Sequence, residues 1–109
     1  MKTTEALPGP VLDQLARIGE GIRIARMRRR MTQEDLASRV GTTFHTIRRI
    51  EQGAPGTAMG FYLTALWVLG LFEDVRFLAD PARDREGLIR EASERNRVAR
   101  PKGSLGRDF

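Results

Sequence analysis

Apolar residues recur at intervals of three and four along most of the chain, the spacing of amphipathic helices. Within residues 31–53 this pattern divides into two short segments around a glycine. The inward positions are Leu36, Ala37 and Val40 in the first segment and Ile47 and Ile50 in the second. No stretch alternates apolar and polar residues with the two-residue period of a strand. The pattern therefore predicts an all-α fold.

Capping residues predict where these two helices begin and end. Thr32 precedes the first helix and Asp35 follows three positions later, the spacing of a capping box. Gly41 can take the left-handed conformation that ends a helix, and Thr42 and Thr43 then supply the next N-cap. The sequence thus predicts two short helices joined by a turn of about three residues.

Further helices are predicted at 11–30, 57–69 and 71–78. A loop at 54–57 leads from the two-helix segment into the helix at 57–69. Gly19 and Gly21 are expected to loosen the first of them. The predicted inward residues are Ile18, Ile22, Ala25 and Met31, then Met59, Tyr62, Ala65, Leu66 and Leu69, and finally Val75 and Leu78. The segment 82–98 either forms a sixth helix on a thin apolar strip or stays unfolded, because Gly87 and the small apolar surface both weaken it.

The chain length of 109 residues leaves room for one compact core. The predicted organisation is a flexible N-terminus at 1–10, a helical domain at 11–80, and a charged helix with a disordered basic tail at 81–109. This tail either keeps the protein soluble or binds phosphate or a protein partner. The chain has no cysteine and one histidine, so we expect no metal site and no cofactor. Without a long apolar segment, a membrane location is not expected and a cytoplasmic one is.

Arginine is concentrated in the first half of the chain. Between residues 17 and 50, nine arginines face three acidic residues, and the net charge of the whole chain is +5. Such an excess attracts phosphate regardless of base sequence, so nucleic acid is the first partner to consider. Arg28, Arg29 and Arg30 have a second explanation, because the helix dipole also favours basic residues at a helix C-terminus.

The motif TQEDLA…GTT…I..IE.G at 32–53 resembles the helix-turn-helix of the phage Cro and repressor (XRE) family of transcription regulators, and the resemblance extends over about residues 18–78. It implies a compact five-helix, phage-repressor-like DNA-binding domain. In that family the second helix of the motif lies in the major groove, and the start of the first lies on the phosphate backbone. The DNA-binding residues that it implies are Gln33, Thr42, Thr43, Phe44, His45, Thr46, Arg48 and Arg49.

Residue chemistry refines this implied interface. Phe44 has no hydrogen-bonding edge, so it can read sequence only by touching a thymine methyl, whereas Arg48 or Arg49 can bond both acceptors of a guanine. His45 can donate or accept. The resemblance also implies a partly buried ion pair between Arg26 and Glu51, which would fix the angle of the recognition helix.

Large apolar residues near the end of the helical domain exceed what the predicted core needs. We interpret the surface formed by Trp67, Phe72, Val75 and Arg76 as a homodimer interface. Phe77 is a further surplus aromatic residue. The alternative is that an extension of the first helix covers Trp67. A two-fold dimer would suit operators whose half-sites lie one helical turn, about 34 Å, apart.

The predicted function is a sequence-specific regulator that represses transcription as a dimer on double-stranded DNA. The alternative is an antitoxin similar to the HipB type, which represses its own operon and binds a kinase toxin, here through the C-terminal region. A protein-binding scaffold that has lost DNA binding is a third possibility, against which the arginines argue. We expect no enzyme activity, because no positioned nucleophile, base or acid pair is recognisable.

Overall fold

The computed structural model describes residues 7–99, and in that range its regular secondary structure consists of helices alone. The helices are α1 (Gly9–Arg28), α2 (Gln33–Val40), α3 (Phe44–Glu51), α4 (Met59–Val68), two 3₁₀ helices (Glu73–Phe77 and Pro81–Arg83) and α5 (Arg85–Ala99). The all-α prediction is confirmed, and so is the sixth helix. Of the N-terminus predicted to be flexible at 1–10, residues 9 and 10 belong to α1, and of the tail predicted to be disordered from residue 96, residues 96–99 belong to α5. Residues 1–6 and 100–109, on which the rest of these two predictions falls, lie outside the described residues.

The chain divides into two compact units between Val75 and Arg76. In the first, α3 packs against α1 and α2, and α2 also packs against α4. The buried core is Ile22, Ala25, Leu36, Ala37, Ile47, Ile50, Tyr62, Ala65 and Leu69. Around it, Leu15, Ile18, Met31, Val40, Leu66 and Val68 are partly buried. Each of the four helices contributes one apolar stripe to a shared core, as the three-and-four spacing predicts.

The predicted capping box at α2 is confirmed. The Asp35 amide donates to the Thr32 hydroxyl and the Thr32 amide donates to the Asp35 carboxylate, each over 2.9 Å. The hydrogen bond from the Thr32 backbone amide, followed by that of the Thr32 side chain, holds the pKa of the Asp35 carboxyl below its usual range. Gly41 ends α2 at φ 86°, and Thr43 caps α3 by accepting from the Thr46 amide.

Several details of the sequence predictions differ from the structure. The predicted fifth helix is a 3₁₀ helix of Glu73–Phe77, and Leu78 lies exposed beyond its end. Met59 was predicted to lie in the core but is 61% exposed. Residues four apart share one face of a helix, so Met59 lies on the same outer face of α4 as Leu63 and Trp67. Gly19 does not loosen α1, which is continuous from Gly9 to Arg28.

The second unit contains α5, which packs on the 3₁₀ helix Pro81–Arg83. Asp84 starts α5 by accepting from the Gly87 amide over 2.9 Å. Ion pairs one turn apart, Glu86 with Arg90 and Glu94 with Arg97, stabilise the helix surface. No residue of α5 is buried within the described range. Between residues 7 and 99, no helix has the length and apolar character needed to cross a membrane.

Candidate nucleic-acid interface

The outer face of α3 carries four side chains in two parallel rows. Phe44 and Arg48 are four residues apart, as are His45 and Arg49, and residues at this separation are neighbours on a helix surface. The Arg48 guanidinium lies 5.9 Å from the centre of the Phe44 ring. The His45 ring meets the Phe44 ring edge-on, with centroids 5.3 Å apart. The structure thus brings together the four residues that are predicted to contact bases, Phe44, His45, Arg48 and Arg49.

Thr46 differs from its predicted place at this surface. It is only 9% exposed, and its hydroxyl lies 3.2 Å from that of Thr43. Thr43 in turn accepts a hydrogen bond from the Thr46 amide. Thr46 therefore stabilises the first turn of α3 and does not present its side chain outward. Thr43 itself is exposed, and Thr42 is partly buried, with its amide bonded to the Ala37 carbonyl over 3.0 Å.

Arg26 and Glu51 form a two-point ion pair between α1 and the last residue of α3. Arg26 Nε donates to Glu51 Oε2 over 2.6 Å, and Arg26 Nη2 donates to Glu51 Oε1 over 3.1 Å. Their side chains are 11% and 3% exposed. Arg26 Nη1 also donates to the Met31 carbonyl over 2.7 Å. A bidentate pair with this degree of burial restricts the orientation of one helix relative to the other.

Gln33 belongs to the same hydrogen-bond network. Its Nε2 donates to Glu51 Oε1 over 2.9 Å, so the first residue of α2 is joined to the last residue of α3. The resemblance to the Cro and repressor family places Gln33 near a phosphate. In the structure it is partly buried, and one side of its amide is used within the protein. Glu51 thereby receives hydrogen bonds from two different helices, α1 and α2.

Two glycines let α1 approach the end of α3 closely. A Cβ on Gly19 would collide with the carbonyl oxygen of Ile50 and would lie 2.9 Å from that of Glu51. A Cβ on Gly53 would lie 2.7 Å from the Cα of Ala16, and Gly53 has φ 74°. Periodicity could not reveal this contact, because a glycine contributes no side chain to an apolar stripe.

The loop after α3 is fixed by a hydrogen bond from α4. The Tyr62 hydroxyl donates to the Ala54 carbonyl over 2.7 Å. Tyr62 is buried in the core, and this burial raises the pKa of its hydroxyl. Both ends of α3 are therefore fixed within the first unit. The Thr43 cap stabilises its start, and contacts at Arg26, Gly53 and Tyr62 fix its end.

The other arginines differ in whether a group of the protein binds their guanidinium. Arg23 donates two hydrogen bonds to Glu20, which lower the pKa of that carboxyl. Arg29 donates to the Ala25 carbonyl near the end of α1 over 2.8 Å, which agrees with the helix-end explanation for this residue. Arg48 and Arg49 are exposed, and within residues 7–99 neither takes part in an ion pair.

The residues suggested for a dimer interface fall in both units. In the first unit, Trp67 is 65% exposed, Phe72 is also exposed and Val75 is partly buried. The described part of α1 therefore does not cover Trp67, contrary to the alternative interpretation. Arg76 begins the second unit, where its guanidinium lies 5.0 Å from the centre of the Phe77 ring.

Together, the fold and this face of α3 define a helix-turn-helix DNA-binding domain. Residues 17–77 match a family model described as a helix-turn-helix domain, and this match covers more than half of the 109 residues. The chain belongs to this family, and it is an XRE-like DNA-binding regulator, as the motif predicted. The family is typically non-enzymatic. No curated protein and no solved structure matches the chain.

Proposed function

We propose that the protein is a sequence-specific transcriptional repressor that binds, as a homodimer, an operator of two related half-sites in the cytoplasm. The observation that carries this proposal is the contrast within α3, whose inner face and end are fixed while Phe44, His45, Arg48 and Arg49 are presented outward. In a major groove, this face and Thr43 would read base edges, and Gln33 would lie near a phosphate of the backbone.

The test of sequence-specific binding is a titration of the full chain against the promoter fragment of its own gene. A scrambled duplex of equal length serves as the control, and both are measured at two salt concentrations, because phosphate-dominated binding weakens steeply with salt. Preference for the promoter that persists at the higher salt is expected. Equal binding to both duplexes, lost at the higher salt, would contradict the proposal.

Repression is proposed in preference to activation because the described chain is occupied by one DNA-binding domain and a short helical unit. A domain of this kind can act by blocking the access of polymerase. A reporter driven by the promoter of this gene should therefore lose expression when the protein is supplied. A consistent rise in reporter expression would overturn the proposed direction of regulation.

The homodimer rests on the outer face of α4. Met59, Leu63 and Trp67 follow one another at four-residue intervals, and α4 contains no charged residue. Phe72 adds a second exposed aromatic side chain a few positions later. An uncharged aromatic surface of this kind is typical of protein interfaces and can pair with its own copy around a two-fold axis. We include Val75, which lies in the same unit, in this proposed interface, whereas Arg76 belongs to the second unit.

Trp67→Glu tests the dimer, and Ile89→Glu on α5 is a matched control, because the two side chains are 65% and 66% exposed. Sedimentation equilibrium should show a dimer for the native chain and for Ile89→Glu, and a monomer for Trp67→Glu. The monomer should also bind a two-half-site operator more weakly. A Trp67→Glu protein that remains dimeric would exclude this surface as the interface.

The antitoxin alternative is favoured by the second unit, whose helix α5 exposes Leu88 and Ile89. On this alternative, these residues would bind a kinase toxin encoded by a gene that overlaps the 3′ end of this one. Co-expression and co-purification test it. The toxin should be retained by Trp67→Glu and lost by Ile89→Glu, the reverse of the pattern expected for the dimer. A gene without such a neighbour would argue against this alternative.

A further inference from the structure

Phe44 and Arg48 form one composite surface on α3. The guanidinium of Arg48 lies 5.9 Å from the centre of the Phe44 ring, within the range of a cation–π contact. Arg48 is exposed, and no carboxylate of the described residues holds it in an ion pair. Phe44 is the first residue of α3, and its ring is only partly buried. The ring therefore orders an arginine that is otherwise free to bind an external partner.

The two side chains present complementary chemistry to DNA. A guanidinium bonds the O6 and N7 acceptors of guanine in the plane of the base. A phenyl ring can only pack against apolar atoms, and in the major groove the apolar group is the C5 methyl of thymine. Adenine, cytosine or guanine under the ring would lose solvent from polar edges without gaining hydrogen bonds, which is unfavourable.

The spacing fits neighbouring base pairs. Residues four apart on a helix are separated by about 5–6 Å, and successive base pairs by about 3.4 Å along the axis. The Phe44 ring and the Arg48 guanidinium can therefore contact neighbouring base pairs but not base pairs far apart. His45 and Arg49 occupy the parallel row, so they would contact a different part of the groove.

We propose that Phe44 and Arg48 together read one two-base step, a guanine bonded by Arg48 and a thymine in the adjacent base pair whose methyl packs on Phe44. This inference rests on the proposed function, because it requires α3 to lie in a major groove. Phe44 is thereby a specificity-determining residue that recognises a methyl group, and Arg48 is the guanine-binding partner that its ring orders.

The experiment begins with selection of binding sites from a randomised duplex library by the full native chain. Each thymine, on either strand, whose base pair adjoins a guanine-containing pair of the selected sequence is then replaced by deoxyuridine, which lacks only the methyl. One such replacement should weaken binding about fourfold, the loss of one buried methyl group. Replacing the adjacent guanine by 7-deazaguanine, which lacks N7, should also weaken binding. Unchanged affinity at every deoxyuridine replacement would overturn the inference.

Variants assign the effect to particular residues. Phe44→Ala should bind thymine and deoxyuridine duplexes equally, whereas Ser38→Ala, which changes an exposed residue of α2 outside the proposed interface, should keep the native difference. Arg48→Ala should lose preference for the guanine by about tenfold or more. A Phe44→Ala protein that still distinguishes the two duplexes would contradict the role of the ring. Melting curves of each variant verify folding, and the modified duplexes test the native chain independently of any variant.

The same experiment separates two kinds of failure. If the native chain enriches no sequence above a scrambled control, the proposed function itself fails. If it enriches a defined sequence in which no thymine methyl beside a guanine matters, only the role of Phe44 and Arg48 fails, and sequence-specific binding stands.

Discussion

The inner and outer sides of α3 belong to the same helix but carry different side chains. On the inner side Ile47, Ile50 and Glu51 are buried and contact other helices. On the outer side Phe44, Arg48 and their neighbours contact one another, and no other helix covers Arg48 or Arg49. The inner side determines where the helix lies, and the outer side determines what it can bind. Substitutions on the two sides should therefore change different measured quantities.

The largest expected effect comes from the ion pair that fixes the end of α3. Arg26→Ala leaves Glu51 buried and without its principal partner, and breaking a buried pair in this way costs about 3–5 kcal/mol of unfolding free energy. Urea unfolding of the native and variant chains measures this loss. Glu20→Ala, which breaks the exposed pair with Arg23, is the control and should leave the midpoint unchanged. An Arg26→Ala protein as stable as the native chain would show that the pair contributes nothing.

A pair of glycines on α1 separates close packing from helix propensity. Gly19→Ala should lower the unfolding free energy by about 1–3 kcal/mol, because its methyl would meet backbone atoms of Ile50, Glu51 and Gly53. Gly21 has nothing within 4 Å of a Cβ position. Gly21→Ala should therefore raise the unfolding free energy by about 0.5–1 kcal/mol. Equal changes in both variants would refute the close contact at Gly19.

On the outer side, Arg49→Ala should reduce specific affinity by about 1–3 kcal/mol and relax the preference at one base position. Its melting temperature should match that of the native chain, because Arg49 is exposed. Titration against the selected operator and its single-base variants measures the change. A uniform loss of affinity on all duplexes would instead identify Arg49 as a phosphate contact.

The smallest effect concerns the capping box at the start of α2. Thr32→Ala should cost about 1 kcal/mol of unfolding free energy at neutral pH. The pKa of Asp35 is lowered in the folded chain, so its ionised form adds stability above its usual pKa, and this stability is lost as the pH falls through the lowered value. In Asp35→Asn this part of the pH dependence of the unfolding free energy should be missing. Urea unfolding over a series of acidic pH values measures it, and identical profiles for Asp35→Asn and the native chain would contradict the expected contribution of Asp35.

Local signals predicted most of the inner side. The capping box of Thr32 and Asp35, the left-handed Gly41 and the stripe of Leu36, Ile47 and Ile50 all follow from short-range spacing, and the structure contains each of them. The ion pair of Arg26 with Glu51 could not be derived from spacing, because its partners are far apart in sequence. It entered the sequence analysis only through the resemblance.

The errors also have physical causes. Gly19 was interpreted as a weak point of α1 because helix propensity describes an isolated helix, whereas here the missing side chain makes room for another backbone. Thr46 was included at the interface because it lies between outward residues, although the third position of a capped helix faces its own N-cap. Met59 fits the core spacing of α4 as well as its outer face, so periodicity alone could not assign it.

The contact at Gly19 has a consequence for genetics. The atoms around its Cβ position belong to the backbone at Ile50, Glu51 and Gly53, and every amino acid has those atoms. No exchange of a neighbouring residue can therefore create the space that Gly19→Ala requires. Second-site suppressors of that mutation should map to positions such as Gly21, where they raise the stability of the whole fold, and local compensating changes around residue 51 should not be recovered.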